Sequence, residues 1–553
     1  MGGDVDAREV EWQLDAVDLR PVVRWLSEPA RWEGAGAVRV ARAGNDNHVD
    51  LYLDTHDRRF QRAGYALRIR RPIRNDGQVG EATLKSLDPP AGGESGLRSR
   101  RELAESIESS EPAALATAPG VVGERVRAVA GTRPLLSLFE VRTRRRVFSL
   151  EADGVPSAEI GLDETAIRPA DGGAPARIRR VEIELPEPGV PMFEPFVERL
   201  RVDCGLQPAR LSKYEAGLLS ADLRPPRSET FGPTEIHADM PIGAVAIAVL
   251  RRHFSAFVAK EPGTRLGDDI EELHDMRVAS RRLRAALSLF ADVLPAHAQG
   301  FRTELGWLGQ TLGAVRDLDV QLEQLDEWLT KLPQADRDAL GALRSLLENE
   351  RAEARASMLA ALDSRRYEAF ATRFGRFLRA RRARVSGQAA RPAGIVAPEL
   401  LEARFRKLRA RGDRIVPTSN PEELHRVRIQ GKRLRYALEF LTEVYPKETR
   451  PLIKRLVALQ DILGEHQDAD VAIARLRALA VEHGGELEPA TVFAMGEVAE
   501  RYRLSMASLR AQFPSAYGRV KKRAGKSIRK LLEEQRPGEP PCGHPGPVAE
   551  SSP

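Results

Sequence analysis

The order of apolar and polar residues divides this chain into two regions of different period. Up to about residue 220, apolar positions alternate with polar ones in short runs, at 10–14, 48–55, 66–71, 81–87, 97–105, 138–150, 156–167 and 178–185. Period two marks a strand with one buried face. Turn-forming clusters such as Pro89-Pro90 with Gly92-Gly93, and later Gly172-Gly173, separate the runs. About eight strands at this spacing predict an antiparallel barrel. Short helices are expected at 18–27 and 192–204.

Beyond residue 240 the period becomes helical, and one helix is written twice. His274-Asp-Met-Arg277-Val-Ala-Ser-Arg281-Arg282-Leu-Arg284 returns as His425-Arg-Val-Arg428-Ile-Gln-Gly-Lys432-Arg433-Leu-Arg435, an offset of 151 residues from His274 to His425. The same offset carries Pro295 onto Pro446, Leu312-Gly313 onto Leu463-Gly464, Asp317 onto Asp468 and Asp319 onto Asp470. A duplicated helical unit follows. The expected class is α+β and multidomain: an eight-stranded antiparallel β barrel, then an all-α domain of two pseudo-symmetric helical-bundle repeats. The expected boundaries are 1–220 for the barrel, 221–239 for a Pro-rich linker and 240–535 for the helices. The repeats fall at about 240–385 and 397–535, joined by a Gly, Ala and Pro-rich connection at 386–398, with a disordered Pro-rich tail at 536–553.

Composition narrows the classes. A chain of 553 residues is too long for one core, so two or three domains are the default. Cys204 and Cys542 are far apart and lack ligand spacing, which implies neither a disulfide nor a thiolate zinc framework. No basic segment followed by an apolar stretch opens the chain, and the most apolar run, 242–250, is short of the roughly 20 residues a membrane helix needs. A soluble, cytoplasmic protein without a membrane partner is expected. There is no Gly-x-Ser-x-Gly elbow, no Gly-x4-Gly-Lys-Ser/Thr loop and no cysteine beside an evident base, so nucleophilic and P-loop chemistry are set aside.

Lys and Arg number 86 against 80 Asp and Glu, a net charge of only +6, so local segregation of sign matters more than the total. At roughly 100° per residue, His274, Arg277, Arg281 and Arg284 share one helix face, while Met276, Leu283, Leu287 and Phe290 occupy the other. The apolar side faces a core. The cationic side, repeated as His425, Arg428, Lys432 and Arg435, calls for anions. Asp317, Asp319, Asp468 and Asp470 could supply them as internal ion pairs; alternatively the stripes line a cleft that binds phosphate, for which Arg offers a planar fork and Lys a point charge. Nucleic acid fits less well, because single-strand recognition adds aromatic stacking platforms and these stripes offer only Tyr436.

The strands show segregation too. Glu9 and Glu11 share a strand face, as do Glu182 and Glu184, whereas Arg68 and Arg70 share another and Lys85, Arg100 and Arg145 lie on further strands. Any one pair fits a wet sheet face. The whole set suits a lumen in which hard carboxylate oxygens hold magnesium or manganese beside a polyanion.

These residues resemble CYTH domains, the triphosphate tunnel metalloenzymes. Glu9-Val-Glu11 resembles the opening Glu-x-Glu-x-Lys signature, and Tyr52-Leu-Asp54-Thr55, Gly64-Tyr-Ala-Leu-Arg68-Ile-Arg70, Thr83-Leu-Lys85, Glu159-Ile-Gly-Leu-Asp163, Glu182-Ile-Glu184 and Ser212-Lys213 follow in family order. The duplicated region is similar to the CHAD domain, a helical module associated with polyphosphate. The two together match the order in a group of bacterial inorganic triphosphatases. The resemblance implies a tunnel of eight antiparallel strands in which Glu9, Glu11, Asp163, Glu182 and Glu184, with Glu159 beside them, hold Mg2+ or Mn2+. It implies that Arg68, Arg70, Lys85, Arg100, Arg145 and Lys213 grip triphosphate, with Lys85, Arg145 and Lys213 serving its hydrolysis to diphosphate and phosphate. His274, Arg277, Arg281, Arg284, His425, Arg428, Lys432 and Arg435 would bind polyphosphate, in the cytoplasm or at polyphosphate granules. Where the signature ends in Lys this chain has Gln13, which can donate a hydrogen bond but no charge. A tunnel kept for binding rather than turnover is therefore the alternative.

Overall fold

The computed structural model describes residues 5–32, 38–73, 80–87, 96–109, 111–152, 157–185, 189–223, 230–330, 334–380, 387–483, 485 and 487–533. Two compact units are present, Met1–Ser228 with Ala259–Glu272, and Glu229–Val258 with Leu273–Pro553. The expected tail, Cys542 and part of the expected linker lie outside the described residues.

In the first unit all eight expected strands form. They are β1 (Val5–Asp15), β2 (Val38–Asp54), β3 (Tyr65–Pro72), β4 (Gly80–Ser86), β5 (Leu97–Ile107), β6 (Leu136–Ala152), β7 (Ala158–Pro169) and β8 (Ala176–Leu185). Their order is β5-β4-β3-β2-β6-β7-β8-β1, and β1 pairs back onto β5 to close the barrel. Closure leaves these eight strands no open edge. A two-residue strand, β9 (Gln207–Pro208), adds to β1.

Alternation then decides what faces inward. Val10, Trp12 and Leu14 of β1, Ile160 and Leu162 of β7, and Val181, Ile183 and Leu185 of β8 enter one buried cluster. Leu67 and Ile69 of β3, Leu84 of β4 and Leu103 of β5 enter another. Helices α1 (Arg20–Ser27), α2 (Arg59–Arg62), α3 (Val121–Ala130), α4 (Val190–Asp203) and α5 (Lys213–Ser220) complete this part of the chain. Trp25 of α1 and Phe193, Phe196 and Leu200 of α4 cover the first cluster, while Val122, Val126 and Val129 of α3 cover the second. The apolar core thus lies outside the barrel wall, and the intervening polar residues are turned into the lumen. Helices α2, α3 and α5 were not anticipated by periodicity, although Ser212 and Glu215 form a reciprocal capping box that starts α5.

From residue 242 the chain is helical: α6 (Ile242–Leu266), α7 (Ile270–Leu289), α8 (Ala298–Leu329), α9 (Gln334–Ala339), α10 (Gly341–Leu362), α11 (Arg365–Arg379), α12 (Ala393–Gly412), α13 (Pro421–Phe440), α14 (Pro446–Glu482) and α15 (Pro489–Glu533). Helices α7 and α13 are each 20 residues long, and their bounds coincide at the offset seen in the sequence. The segments before α6 and α12 meet in an isolated antiparallel bridge between Pro241 and Pro392. Around it Ile242 N donates to Arg391 O at 2.9 Å and Ala393 N to Met240 O at 2.8 Å, a reciprocal pair across a local twofold. The second repeat therefore starts its first helix at Ala393, and the expected connection at 386–398 is corrected: Pro398 lies inside α12. The repeats differ at their far ends, where Ser364 caps α11 and breaks it from α10, whereas α15 runs on for 45 residues.

Helix α6 corrects a second expectation. At 25 residues it is long and apolar enough to cross a membrane by length and composition. Ile242, Val245, Ala246, Leu250, Phe254 and Phe257 are nevertheless buried in the helical core together with Met276, Leu283, Leu287 and Phe290 of α7, so packing against protein already accounts for its apolar side.

Candidate functional site

The barrel lumen holds a cavity of about 740 Å³. The cations of its lining and the carboxylates that pair with them form three groups. In the first, Glu9 and Glu11 project from β1, and Glu184 of β8 is the direct cross-strand partner of Glu11. The Lys85 ammonium, from β4, pairs with Glu9 and lies 3.3 Å from Glu11.

In the second group Arg145 of β6 stands opposite Asp163 of β7 in register. Its Nε and Nη2 each donate to Asp163 at 2.8 Å, and Nη2 also reaches Glu182 of β8. Lys213 Nζ, in the first turn of α5, donates to Asp163 at 2.6 Å and Glu182 at 3.0 Å. Gly161 makes room for this cluster: a Cβ there would stand 2.8 Å from Arg145 Nε.

In the third group Asp50 of β2 accepts two bonds from Arg70 of β3, at 2.8 and 3.1 Å. Arg68 lies 3.8 Å from Asp50 and 3.4 Å from Glu102. Arg100 also lines the cavity, and its buried Nε has no hydrogen-bond partner among the described residues.

A second charged cluster forms in the helical unit, where the stripes of α7 and α13 come together. Arg281 Nε donates to Tyr436 Oη at 2.7 Å. Arg277 packs on Gly313 of α8 and pairs with Asp317 at 3.1 Å; in the other repeat Arg428 packs on Gly464 of α14 and lies 3.8 Å from Asp468. The duplicated Leu-Gly thus keeps the helix surface flat beneath a guanidinium in both halves. Arg284 lies against Gly306 and Gly309, and Arg435 pairs with Glu439 at 3.3 Å. His274 and His425 are half-buried on the same helices, with the buried Nδ1 of His425 unpartnered among the described residues. Of the four aspartates expected to compensate the stripes, Asp317 and Asp468 do so at the rim, whereas Asp319 turns away to Arg351 at 2.5 Å. Buried His466, expected in an ion-pair network, has its pKa lowered by burial and by Arg510, and favours the neutral form.

Comparison with known families matches residues 29–190 to the CYTH domain and residues 248–477 to the CHAD domain. The chain carries a CYTH domain followed by a CHAD domain. CYTH domains are triphosphate tunnel metalloenzymes that depend on divalent cations, and CHAD domains are linked to polyphosphate. Strand β1, with Glu9 and Glu11, precedes the matched CYTH span but is hydrogen-bonded into the barrel by β5 and β8. Among solved structures, the CHAD domain of the plant Ricinus communis is 29% identical with a TM-score of 0.39, covering 56% of this chain and 97% of its own. PptA from Streptomyces chartreusis is 24% identical with a TM-score of 0.43, covering 50% and 99%. A putative adenylyl cyclase from Hippeastrum, described as having a dominant triphosphatase activity, is 19% identical with a TM-score of 0.27, covering 38% and 94%. No curated protein sequence matches the chain.

The five carboxylates expected to hold one or two divalent metals in the CYTH tunnel fall into two sets in this structure. Asp163 does not line the cavity; it is fully buried, and its two oxygens are taken by Arg145 and Lys213. Glu182 lines the cavity but is held by the same two cations. Burial works against its charge, yet Lys213, Arg145 and Arg180 together hold its pKa well below the usual carboxylate range. Glu9, Glu11 and Glu184 are the opposite case. Burial raises the pKa of Glu9 and Glu11 in spite of Lys85. Enclosure by the wall, then Glu9 and Glu11, push Glu184 up to about 7.

Three hard-oxygen donors short of positive charge fit a divalent cation in donor type. Among the described residues no three acidic or histidine side chains converge into a ready coordination set, so the fit is one of chemistry rather than geometry. The six expected triphosphate ligands, Arg68, Arg70, Lys85, Arg100, Arg145 and Lys213, all line one cavity. Reading by sequence overlooked Asp50, Glu81, Glu102 and Arg180. Period two carried the signal, since Glu102 lies two residues after Arg100 and Arg180 two before Glu182.

Proposed function

We propose that the CYTH tunnel hydrolyses inorganic triphosphate to diphosphate and phosphate with Mg2+ or Mn2+, and that the CHAD cluster binds longer polyphosphate. The observation that supports the first part is the division of charge within one lumen. Fixed cations line the cavity, and an undercompensated carboxylate group, Glu9, Glu11 and Glu184, lines it with them. That group would hold the metal, which when bound supplies charge neutralisation and polarisation at phosphate oxygens. Arg68, Arg70 and Arg100 orient the polyanion by forked donation. Arg145 and Lys213, held from behind by Asp163, present preorganised positive charge to the diphosphate as it leaves. Lys85, held charged by Glu11 and Glu9 against the effect of burial, joins them.

The second reading, a polyphosphate-binding protein with an idle tunnel, is favoured by Gln13. The experiment is phosphate release from triphosphate with magnesium, with manganese and with chelator, beside a Gln13→Lys variant. Metal-dependent release by the native chain supports the enzyme. Release only by Gln13→Lys supports the idle tunnel.

A further inference from the structure

Arg180 is a buried cation to which the proposed reaction gives no task. It lies on β8 two residues before Glu182, between Asp15 of β1 and Asp163 of β7 in register, and is 1% exposed. Its Nε donates to Asp15 at 2.8 Å and its Nη2 to the carbonyl of Leu211 at 2.7 Å. The remaining nitrogen, Nη1, faces Gln13 Oε1 at 3.4 Å, and Gln13 Nε2 donates to Glu11 Oε1 at 2.8 Å.

A guanidinium can only donate and an ionised carboxylate can only accept, whereas an amide has one end of each kind. With Arg180 on one side and Glu11 on the other, only one orientation of the Gln13 amide satisfies both. A flip would set donor against donor and oxygen against carboxylate. We infer that Arg180 is a positioning residue which, through the Gln13 amide, orients Glu11 toward metal and triphosphate. Gln13 thus passes on the direction of a buried charge that it does not itself carry. The inference rests on the triphosphatase reading.

Arg180 also ties down Asp15 and Leu211, so the test must separate positioning from scaffolding. Arg180→Met, Gln13→Leu and their combination form a cycle, read by Mn2+ affinity from calorimetry without substrate, by kcat and KM for triphosphate, and by Tm. Each single change is expected to lower Mn2+ affinity and kcat by about 10- to 100-fold, the range for residues behind metal ligands, with KM little changed. The combination is expected to be no worse than the worse single change. Gln13→Lys, which donates to Glu11 on its own, is expected to restore both readouts in the Arg180→Met background. Losses that multiply, or a lysine at position 13 that restores nothing, overturn the inference. Where Arg180→Met does not fold, Arg180→Lys replaces it; its compact ammonium leaves the amide less well oriented, so a weaker loss of the same kind is expected, and unchanged Mn2+ affinity and kcat overturn the inference. A native chain that neither binds Mn2+ nor releases phosphate overturns the triphosphatase reading, and this inference with it. A working native chain with independent losses overturns this inference alone.

Discussion

The bond from Arg281 Nε to the Tyr436 hydroxyl, 2.7 Å long, joins the two repeats and has no twin. At the offset of 151 residues, Arg281 corresponds to Lys432 and Tyr436 to Ala285, so the reverse bond is impossible. The pseudo-symmetric cluster is asymmetric at its centre. Tyr436, whose ring also lies near Arg282 and Arg435, fixes one guanidinium among several that repel one another.

Tyr436→Phe removes that acceptor while keeping the ring. Losing one hydrogen bond to a charged donor costs about 1.5–3 kcal/mol at most, so polyphosphate affinity is expected to fall by roughly one order of magnitude with its salt dependence unchanged. Arg281→Ala with Arg284→Ala removes charge and is expected to lower both the affinity and the salt slope, because fewer counterions are displaced. Triphosphate turnover should survive both changes. Calorimetric titration at several salt concentrations checks the first part, and loss of turnover would show that the two activities are not independent.

Lys432 predicts a pH dependence for the same cluster. Burial, then Arg428 and Arg281, lower its pKa to about 7 from the 10.5 of a free side chain. The unfolded chain then binds more protons than the folded one between these values, so stability is lowest below about 7 and rises as pH increases from 7 to 10.5. Binding has the opposite sign. A polyanion favours the charged ammonium, so binding takes up a proton and affinity falls as pH rises through 7 to 9. Calorimetry in buffers of different ionisation enthalpy measures that uptake, and Lys432→Met is expected to abolish it.

Asp163 and Glu184 give a contrast between holding the scaffold and holding the metal. Asp163→Asn leaves Arg145 and Lys213 buried with less compensation, a change that costs about 3–5 kcal/mol of stability, and should alter Mn2+ affinity little. Glu182→Gln with Glu184→Gln should abolish metal-dependent turnover, and Glu184→Gln alone should weaken Mn2+ binding without destabilising the fold, because a carboxylate repelled by Glu9 and Glu11 is removed. Equal effects of the two single changes on melting temperature and on Mn2+ affinity would contradict this division.

That contrast also marks what could be read before the structure was known. The strands were legible because Val181, Ile183 and Leu185 alternate with Arg180, Glu182 and Glu184, and one face must be buried. The duplicated helices were legible from the offset alone. The task of each carboxylate was not, because period two puts Asp163 of β7 and Glu184 of β8 on inward faces alike, whereas their neighbours differ: Arg145 and Lys213 hold Asp163, and Glu9 and Glu11 crowd Glu184. The first half of β2, residues 38–47, escaped notice because its exposed residues carry no alternation and the register shifts between Arg42 and Gly44. Helix α5 could have been found from Ser212-Lys-Tyr-Glu215, whose spacing is that of a capping box.

Gly161 offers the last test, because its role follows from space alone. It has no side chain, and the volume where one would stand holds Arg145, with Nε at 2.8 Å, Cζ at 2.9 Å and Cδ at 3.2 Å from the missing Cβ. A flexible arginine would normally yield to an added methyl. Arg145 cannot do so freely, because two of its nitrogens are committed to Asp163 and one of these also to Glu182. In Gly161→Ala either the guanidinium leaves Asp163 or the strands part, and overpacking of this kind costs about 1–3 kcal/mol. A catalytic group displaced from a preorganised position loses far more in rate than in stability. The expected outcome is therefore a modest drop in melting temperature with a fall in kcat of about 100-fold and Mn2+ affinity retained. An alanine at this position with native kcat would show that Arg145 does not act from the place where Asp163 holds it.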